Sequence, residues 1–333
     1  MIRFSLRFNN DLPVRTYMAL AQTAEAAGFD QLWVSNDLFL RGVWPILSAA
    51  AMATERIELG TCIVNPYTTH PAEIVMQAAA LDELSNGRML LGVSAGAAEF
   101  LDWVGVPQKR PLTITDEAIR RMRDLLAGMR GPWQGVVWPD WGPAAYMRFP
   151  TRRIPIYLGA TSPRMHRLIG SLADGGLPLL FPPESYTQVA ERVAAGAAES
   201  GRDPAGIDLA ACIWVSLDDN AAAAEAALRD RIAYYANAMS DEVLAAVGVD
   251  RATTGAIAQA LRGPDGLKGA AALVPPELLR IGVAGDAAGL IRRLEDLVAA
   301  GARHLSFGPP LGPDPIAAIA ALGRDVLPHF AHR

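Results

Sequence analysis

Leu59-Gly60-Thr61-Cys62-Ile63-Val64-Asn65-Pro66-Tyr67-Thr68-Thr69-His70-Pro71 reads as a buried strand, a loop dense in chemistry and the start of a helix. Small and β-branched residues run over 58–64. The run stops at Asn65-Pro66, because proline has no backbone donor and restricts the residue before it. Pro71-Ala72-Glu73 then opens a helix to about residue 83, with proline where a first turn tolerates it and an acid near the positive end of the dipole. Between Cys62 and His70 lie a Cys, an Asn, a Tyr, two Thr and a His. In parallel α/β folds, loops at the carboxyl ends of strands are where ligands bind.

The same strand-loop-helix unit recurs on both sides. Strands are expected at 2–8, 31–35, 58–64, 87–94, 154–159, 176–181, 207–217 and 303–307, each followed by at least one helix. Residues 9–13 are read as a turn that caps the first helix, and 308–315 as a turn before the last. Eight such units in 333 residues predict an α/β chain folded as one (β/α)8 TIM barrel over 1–333. Two excursions interrupt the rhythm, a Trp- and Pro-rich one at about 96–150, over the mouth, and a lid-like insertion at about 240–284. A doubly wound sheet would need G-x-G-x-x-G after its first strand or a phosphate loop, and neither is present. Gly92-Val93-Ser94-Ala95-Gly96 has the wrong spacing and follows the fourth strand.

Composition narrows the function classes. With 51% hydrophobic and 20% charged residues the chain is neither disordered nor a coiled coil. Its net charge of -5 is spread along the chain, so nucleic acid and an anionic membrane are excluded as expected partners and a small molecule is the default. Cys62 and Cys212 are the only cysteines and form no C-x-x-C or Cys/His cluster, so neither a disulfide framework nor a metal site is expected. No basic region, apolar run and cleavage site opens the sequence, and its Ala-rich stretches are broken by charges. Neither a signal peptide nor a membrane span is read, and a cytoplasmic location is expected.

Three segments suit a planar, phosphate-bearing ligand. Gly159-Ala160-Thr161-Ser162-Pro163 places a small-residue loop before a helix whose free amides would receive a phosphate; the plain alternative is an ordinary N-cap. The glycines of Ala173-Asp174-Gly175-Gly176-Leu177 permit close backbone approach, or only a helix C-cap. Cys62 to Asn65 ends a strand with small side chains, leaving room for a ring system. His70 is read as either ligand-facing or solvated, His166 as near a phosphate tail or at the surface, and His304 as packed. Trp44, Trp103, Trp133, Trp138 and Trp141 either wall a pocket or pack on the core or a subunit partner. No His or acid is paired by motif with Cys62, which argues against covalent catalysis.

Four runs, in order along the chain, then carry a resemblance: Asn65-Pro66-Tyr67; Leu81-Asp82-Glu83-Leu84-Ser85-Asn86-Gly87-Arg88; Ile154-Pro155-Ile156-Tyr157-Leu158-Gly159-Ala160; and Phe307-Gly308-Pro309-Pro310-Leu311-Gly312-Pro313-Asp314-Pro315. With the eight-unit rhythm they resemble the luciferase-like superfamily, and within it the methylenetetrahydromethanopterin reductases and bacterial relatives that use the deazaflavin coenzyme F420. The resemblance implies a non-prolyl cis peptide at Cys62-Ile63, whose bulge, with Val64 and Asn65, supports the middle ring. It implies Ser94, Ala95 and Gly96 along the ring, and Gly159, Ala160, Thr161, Ser162, Gly176 and Leu177 at the phosphate end. The implied chemistry is hydride transfer between the deazaflavin C5 and an organic small molecule, by C=C or C=N reduction or the reverse, in a homodimer. An FMN-dependent monooxygenase of the same fold and a non-catalytic binding relative stay open. This chain departs from the family at Asn36-Asp37, where Asp-His is usual, at Arg7, where the methanopterin reductases carry Glu, and at Ala97, where they carry an acid. Arg7, Asn36 and Asp37 are therefore the catalytic candidates, with a different acceptor implied. Asp37 is expected either to pair with Arg7 or to donate a proton from a raised pKa.

Overall fold

The computed structural model describes residues 2–178 and 182–330. Among the described residues there are nine parallel strands: β1 (Arg3–Phe8), β2 (Gln31–Val34), β3 (Glu58–Thr61), β4 (Met89–Val93), β5 (Ile156–Ala160), β6 (Gly175–Pro178), β7 (Asp208–Leu217), β8 (Gly282–Gly285) and β9 (His304–Leu311). All but β8 close into a ring in chain order, because β6 pairs with β7, β7 with β9, and β9 with β1. That ring is an eight-stranded (β/α)8 barrel. Helices Val14–Ala26, Val43–Ala53, Pro71–Leu84, Pro111–Leu126, Pro163–Leu172, Tyr186–Glu199, Ala221–Tyr235 and Pro315–Ala321 follow the ring strands, and Ala287–Ala299 follows β8. Strands covered on both faces read as continuous apolar runs, which is why β4, as Met-Leu-Leu-Gly-Val, is buried throughout.

The barrel interior is filled by large rings set against missing side chains. Trp33 on β2 and Tyr157 on β5 meet edge to face at 4.8 Å. A Cβ on Gly60 would lie 2.1 Å from the Trp33 ring, and one on Gly175 would lie 2.1 Å from that of Tyr157. Toward the amino ends of the strands, Asp208 accepts from Arg3 Nη1 at 2.5 Å and Tyr157 Oη at 2.6 Å, and its Oδ1 lies 3.1 Å from His304 Nδ1. His304 Nε2 is 2.8 Å from Ser5 Oγ, which donates to Ser306 Oγ at 2.8 Å. Burial alone would raise the Asp208 carboxyl, but His304, Arg3 and Tyr157 hold it well below the ordinary carboxylate range.

The structure departs from the sequence reading in several places. The third strand stops at Thr61 rather than 64, with Val64 making only an isolated bridge to Val93. The last strand runs on through Gly308-Pro309-Pro310 to Leu311, where a turn was expected, because β7 still offers Trp214 and Ser216 as pairing partners there. The expected insertion at 240–284 ends in an extra strand, β8, whose Gly282 to Gly285 pair with Trp214 to Leu217. Asn10 and Asp11 do not cap the first helix; Pro13 holds its N-cap position without a side-chain bond. Residues 179–181 of the expected sixth strand lie outside the described residues.

Candidate active site

A cavity of about 540 Å³ opens at the carboxyl ends of the ring strands, in the size range of small-molecule sites. Ring order places β3, β4 and β5 opposite β7, β9 and β1, so the cavity has two facing walls.

The β3–β5 wall is a shelf shaped around one residue. The Cys62-Ile63 peptide is cis, as the resemblance implies. A Cβ on Gly92 would stand 1.9 Å from the Thr61 carbonyl oxygen, so only glycine on β4 admits the β3 backbone at that point. Gly159 on β5 leaves similar room, since a Cβ there would lie 3.0 Å from Ile63 Cγ2 and 3.3 Å from Ser94 Cβ. Ile63 thus projects where β4 and β5 carry small residues. Asn65 Oδ1 fastens the following loop by accepting from Tyr67 N at 3.1 Å, Thr68 N at 3.0 Å and Thr68 Oγ1 at 3.1 Å. Gln108, from the first excursion, holds the β4 loop by donating Nε2 to the carbonyls of Ala95 at 3.1 Å and Gly96 at 2.9 Å. At the far end of the shelf Ser162 caps the helix Pro163–Leu172, and Arg164 in its first turn reaches the cavity.

The opposite wall carries charge among apolar side chains. Arg7 on β1 is 6% exposed. Its Nε donates to Ser306 Oγ at 3.1 Å, and its Nη2 donates to the carbonyls of Ile213 at 2.8 Å and Ser306 at 3.3 Å. Phe8, Trp214 and Pro309 line the cavity beside it. The expected Arg7–Asp37 ion pair does not form. Arg7 turns inward toward β7 and β9, whereas Asp37 sits beyond the end of β2 in a loop fastened by Asn10, whose Nδ2 donates to the Asp37 carbonyl at 3.0 Å. Asp37 Oδ2 instead accepts from Tyr235 Oη at 3.2 Å, and Tyr235 Oη accepts from Asn9 Nδ2 at 2.8 Å. Burial pushes the Asp37 carboxyl up to about 6, against the lowering effect of Tyr235. Asn36 also lines the cavity, but its Oδ1 accepts from Val43 N at 3.2 Å and so supports the start of the next helix.

Of the residues expected around a ligand, Arg7, Asn36, Asp37, Cys62, Ile63, Asn65, Ser94, Ala95, Gly96, Gly159, Ala160, Thr161 and Ser162 surround this one cavity. Val64, Gly176 and Leu177 do not line it. Val64 is buried against β4, and Gly176 makes room for Ile169 and Leu209, so the paired glycines of β6 serve barrel packing. Residues 240–284 contribute nothing to the cavity wall, and neither do Trp133, Trp138 and Trp141. His70 Nδ1 accepts from Ala72 N at 3.2 Å as a helix cap, and its ring stacks on Trp141 at 4.9 Å. His166 is buried away from the cavity, and burial lowers it to about 4. Cys62 is a thiol rather than a thiolate, because burial pushes it up to about 12 despite the pull of Arg7. Ser5, His304 and Asp208 are connected in the order of a hydrolytic triad, yet Ser5 is fully buried and does not line this cavity.

Sequence reading missed Arg164, Gln108, Trp214 and Tyr235. Arg164 carried a usable signal, a cation in the first turn after a small-residue loop. Tyr235 carried none, being 198 positions from Asp37. Among the described residues no group of three His, Cys, Asp or Glu side chains is placed to hold a metal ion, and no helix is long and apolar enough to cross a membrane.

Comparison with known proteins agrees with this architecture. A 5,10-methylenetetrahydromethanopterin reductase of Methanolobus tindarius is 32% identical over 325 residues, covering 97% of this chain and 99% of its own. The solved coenzyme F420-dependent tetrahydromethanopterin reductase of Methanopyrus kandleri superposes with a TM-score of 0.88 at 29% identity, over 99% of each chain. An F420-dependent secondary alcohol dehydrogenase, solved with an F420–acetone adduct, shares the fold with a TM-score of 0.81 at 22% identity, over 98% of each chain. The family model for luciferase-like monooxygenases matches residues 5–304, from within β1 to the first residue of β9, and the chain belongs to that family.

Proposed function

We propose that this protein is an F420-dependent oxidoreductase that moves a hydride between the deazaflavin and an organic small molecule, reducing a C=C or C=N bond or running the reverse. The observation that carries this reading is the shelf at Ile63, open because β4 and β5 place Gly92 and Gly159 beside it. Full-length similarity to F420-dependent reductases supports it. When bound, the reduced coenzyme supplies a hydride from C5 of its ring.

In this reading Ile63, Ser94 and Gly159 support the planar ring by contact, and the Asn65 and Gln108 hydrogen bonds keep that surface from shifting. Ser162 and the first turn of the following helix face the phosphate, with Arg164 adding a positive charge. The wall formed by Arg7, Asp37, Trp214 and Tyr235 receives the acceptor. Asp37, raised by burial to about 6 and held by Tyr235, is the group that gives the proton in the reductive direction. A cytoplasmic homodimer belongs to the same proposal. Two free, buried cysteines suit a reducing compartment, and Phe39 and Trp103, 77% and 51% exposed, offer apolar surface for a second copy.

Fluorescence titration of the purified protein with F420 and, in parallel, with FMN tests the proposal. Saturable binding of F420 alone is expected. Binding of FMN alone would shift the assignment to a flavin monooxygenase, and binding of neither would overturn a redox role.

A further inference from the structure

Arg7 is a charge without a counter-charge. It is 6% exposed, and no carboxylate among the described residues pairs with it; its Nε and Nη2 are spent on Ser306 and the Ile213 carbonyl. Nη1 makes no hydrogen bond to the described protein, while Arg7 lines the cavity. A buried guanidinium left in this state is costly, and an anion brought to it recovers much of that cost.

The setting is built for this side chain. A Cβ on Gly308 would lie 2.5 Å from Arg7 Nη2 and 2.8 Å from Trp214 Cδ1, so β9 carries its glycine where the guanidinium and the indole need the space. Ser306 Oγ, which accepts from Arg7 Nε, also accepts from Ser5 Oγ, next to His304 and Asp208, so the guanidinium is held by a network running through the barrel core. Such support fixes the plane of the guanidinium and leaves Nη1, with its two N–H donors, for a carboxylate. Around it the wall is apolar, with Phe8, Trp214 and Pro309.

We infer that Arg7 is a specificity-determining residue for an acceptor that is a small apolar carboxylic acid, its carboxylate seated on the guanidinium and its hydrocarbon part against Trp214 and Pro309. This rests on the oxidoreductase reading for the identity of the cavity, but the subsite stands on Arg7 itself. The coenzyme's own anionic groups are a rival source of charge. Ring order argues against them, because β1 lies opposite β5 and its Gly159 shelf.

The test pairs acids with their neutral isosteres. Coenzyme-free protein is titrated by calorimetry with benzoate, cinnamate and hexanoate, and with the corresponding amides. At least one acid is expected to bind at least tenfold more tightly than its amide. In Arg7→Met that preference disappears, while F420 affinity, measured by fluorescence, stays within about threefold and certifies the fold. Equal binding of acid and amide in all three pairs overturns the inference, as does an acid preference that survives in Arg7→Met. A loss of F420 affinity of more than tenfold with acid preference intact assigns Arg7 to the coenzyme instead. If wild-type protein binds no F420 yet keeps the acid preference, the oxidoreductase reading fails and the carboxylate subsite stands.

Discussion

At Asp37 the proposed chemistry depends on one carboxyl being neutral near pH 6, which burial accomplishes and the Tyr235 hydrogen bond moderates. Its folded pKa lies above the ~3.9 of an unfolded aspartate, so its contribution to stability is complete below that value and is lost as pH rises through about 6. As proton donor it loses activity over the same window. Reductive kcat is therefore expected to fall as pH rises through about 6, and Asp37→Asn to abolish that limb and lower kcat on the order of 100-fold, with unchanged F420 affinity. A pH–rate profile of the variant that coincides with wild type at every pH would remove Asp37 from the mechanism.

The element linking the helix Pro71–Leu84 to β4 shows how a family motif acts through structure rather than chemistry. Arg88 donates Nε to Ser85 O at 2.7 Å, Nη1 to Thr54 Oγ1 at 2.9 Å and Ile57 O at 3.0 Å, and Nη2 to Ala51 O at 2.9 Å and Thr54 O at 3.0 Å. All five guanidinium donors are used, so the fork closes the carboxyl end of one helix onto the loops before β3 and β4. Asp82, in the same run, accepts from Arg152 Nη2 at 2.9 Å across from the loop before β5. These contacts lie at the amino ends of the strands, away from the cavity. Arg88→Met is expected to cost about 3 kcal/mol in urea unfolding, since several carbonyls lose a charged donor at once, with F420 affinity unchanged. A variant as stable as wild type would show that water replaces the fork without loss.

For the whole molecule, closure of the ring brings residue 5 next to residues 304 and 306 and creates the buried network that ends at Arg7. Asp208 anchors it, and Asp208→Asn is expected to cost roughly 3 kcal/mol, because the buried His304 and Tyr157 lose the carboxylate they meet and the exposed Arg3 loses its ion pair. The sign of its pH dependence follows from the depressed carboxyl: the stabilisation is present above the unfolded value of ~3.9 and is lost as pH falls through the lower folded one. The stability gap between wild type and variant should accordingly be full at pH 7 and narrow as pH drops below about 4, as read by urea unfolding at both ends. A gap independent of pH would assign the loss to packing rather than charge.

What could be read from the chain alone was whatever repeats or acts locally. The alternation of strand and helix, the break at Asn65-Pro66 and the small-residue loop at Gly159 to Ser162 are written in neighbouring residues, so the barrel and the small-residue loops at its mouth were legible there. Assignments that depended on partners far along the chain were not. Adjacent strand ends suggested that Arg7 and Asp37 pair, but the choice was made by Ser306, 299 residues from Arg7, and by Tyr235, 198 residues from Asp37. The glycines of β6 looked like ligand contacts, but the Tyr157 ring fills the space at Gly175 and the Ile169 and Leu209 side chains that at Gly176. Local sequence specifies backbone conformation through sterics and hydrogen-bonding capacity. Which buried charge meets which counter-group, and which is left for a ligand, is decided only when the closed barrel fixes what remains within reach.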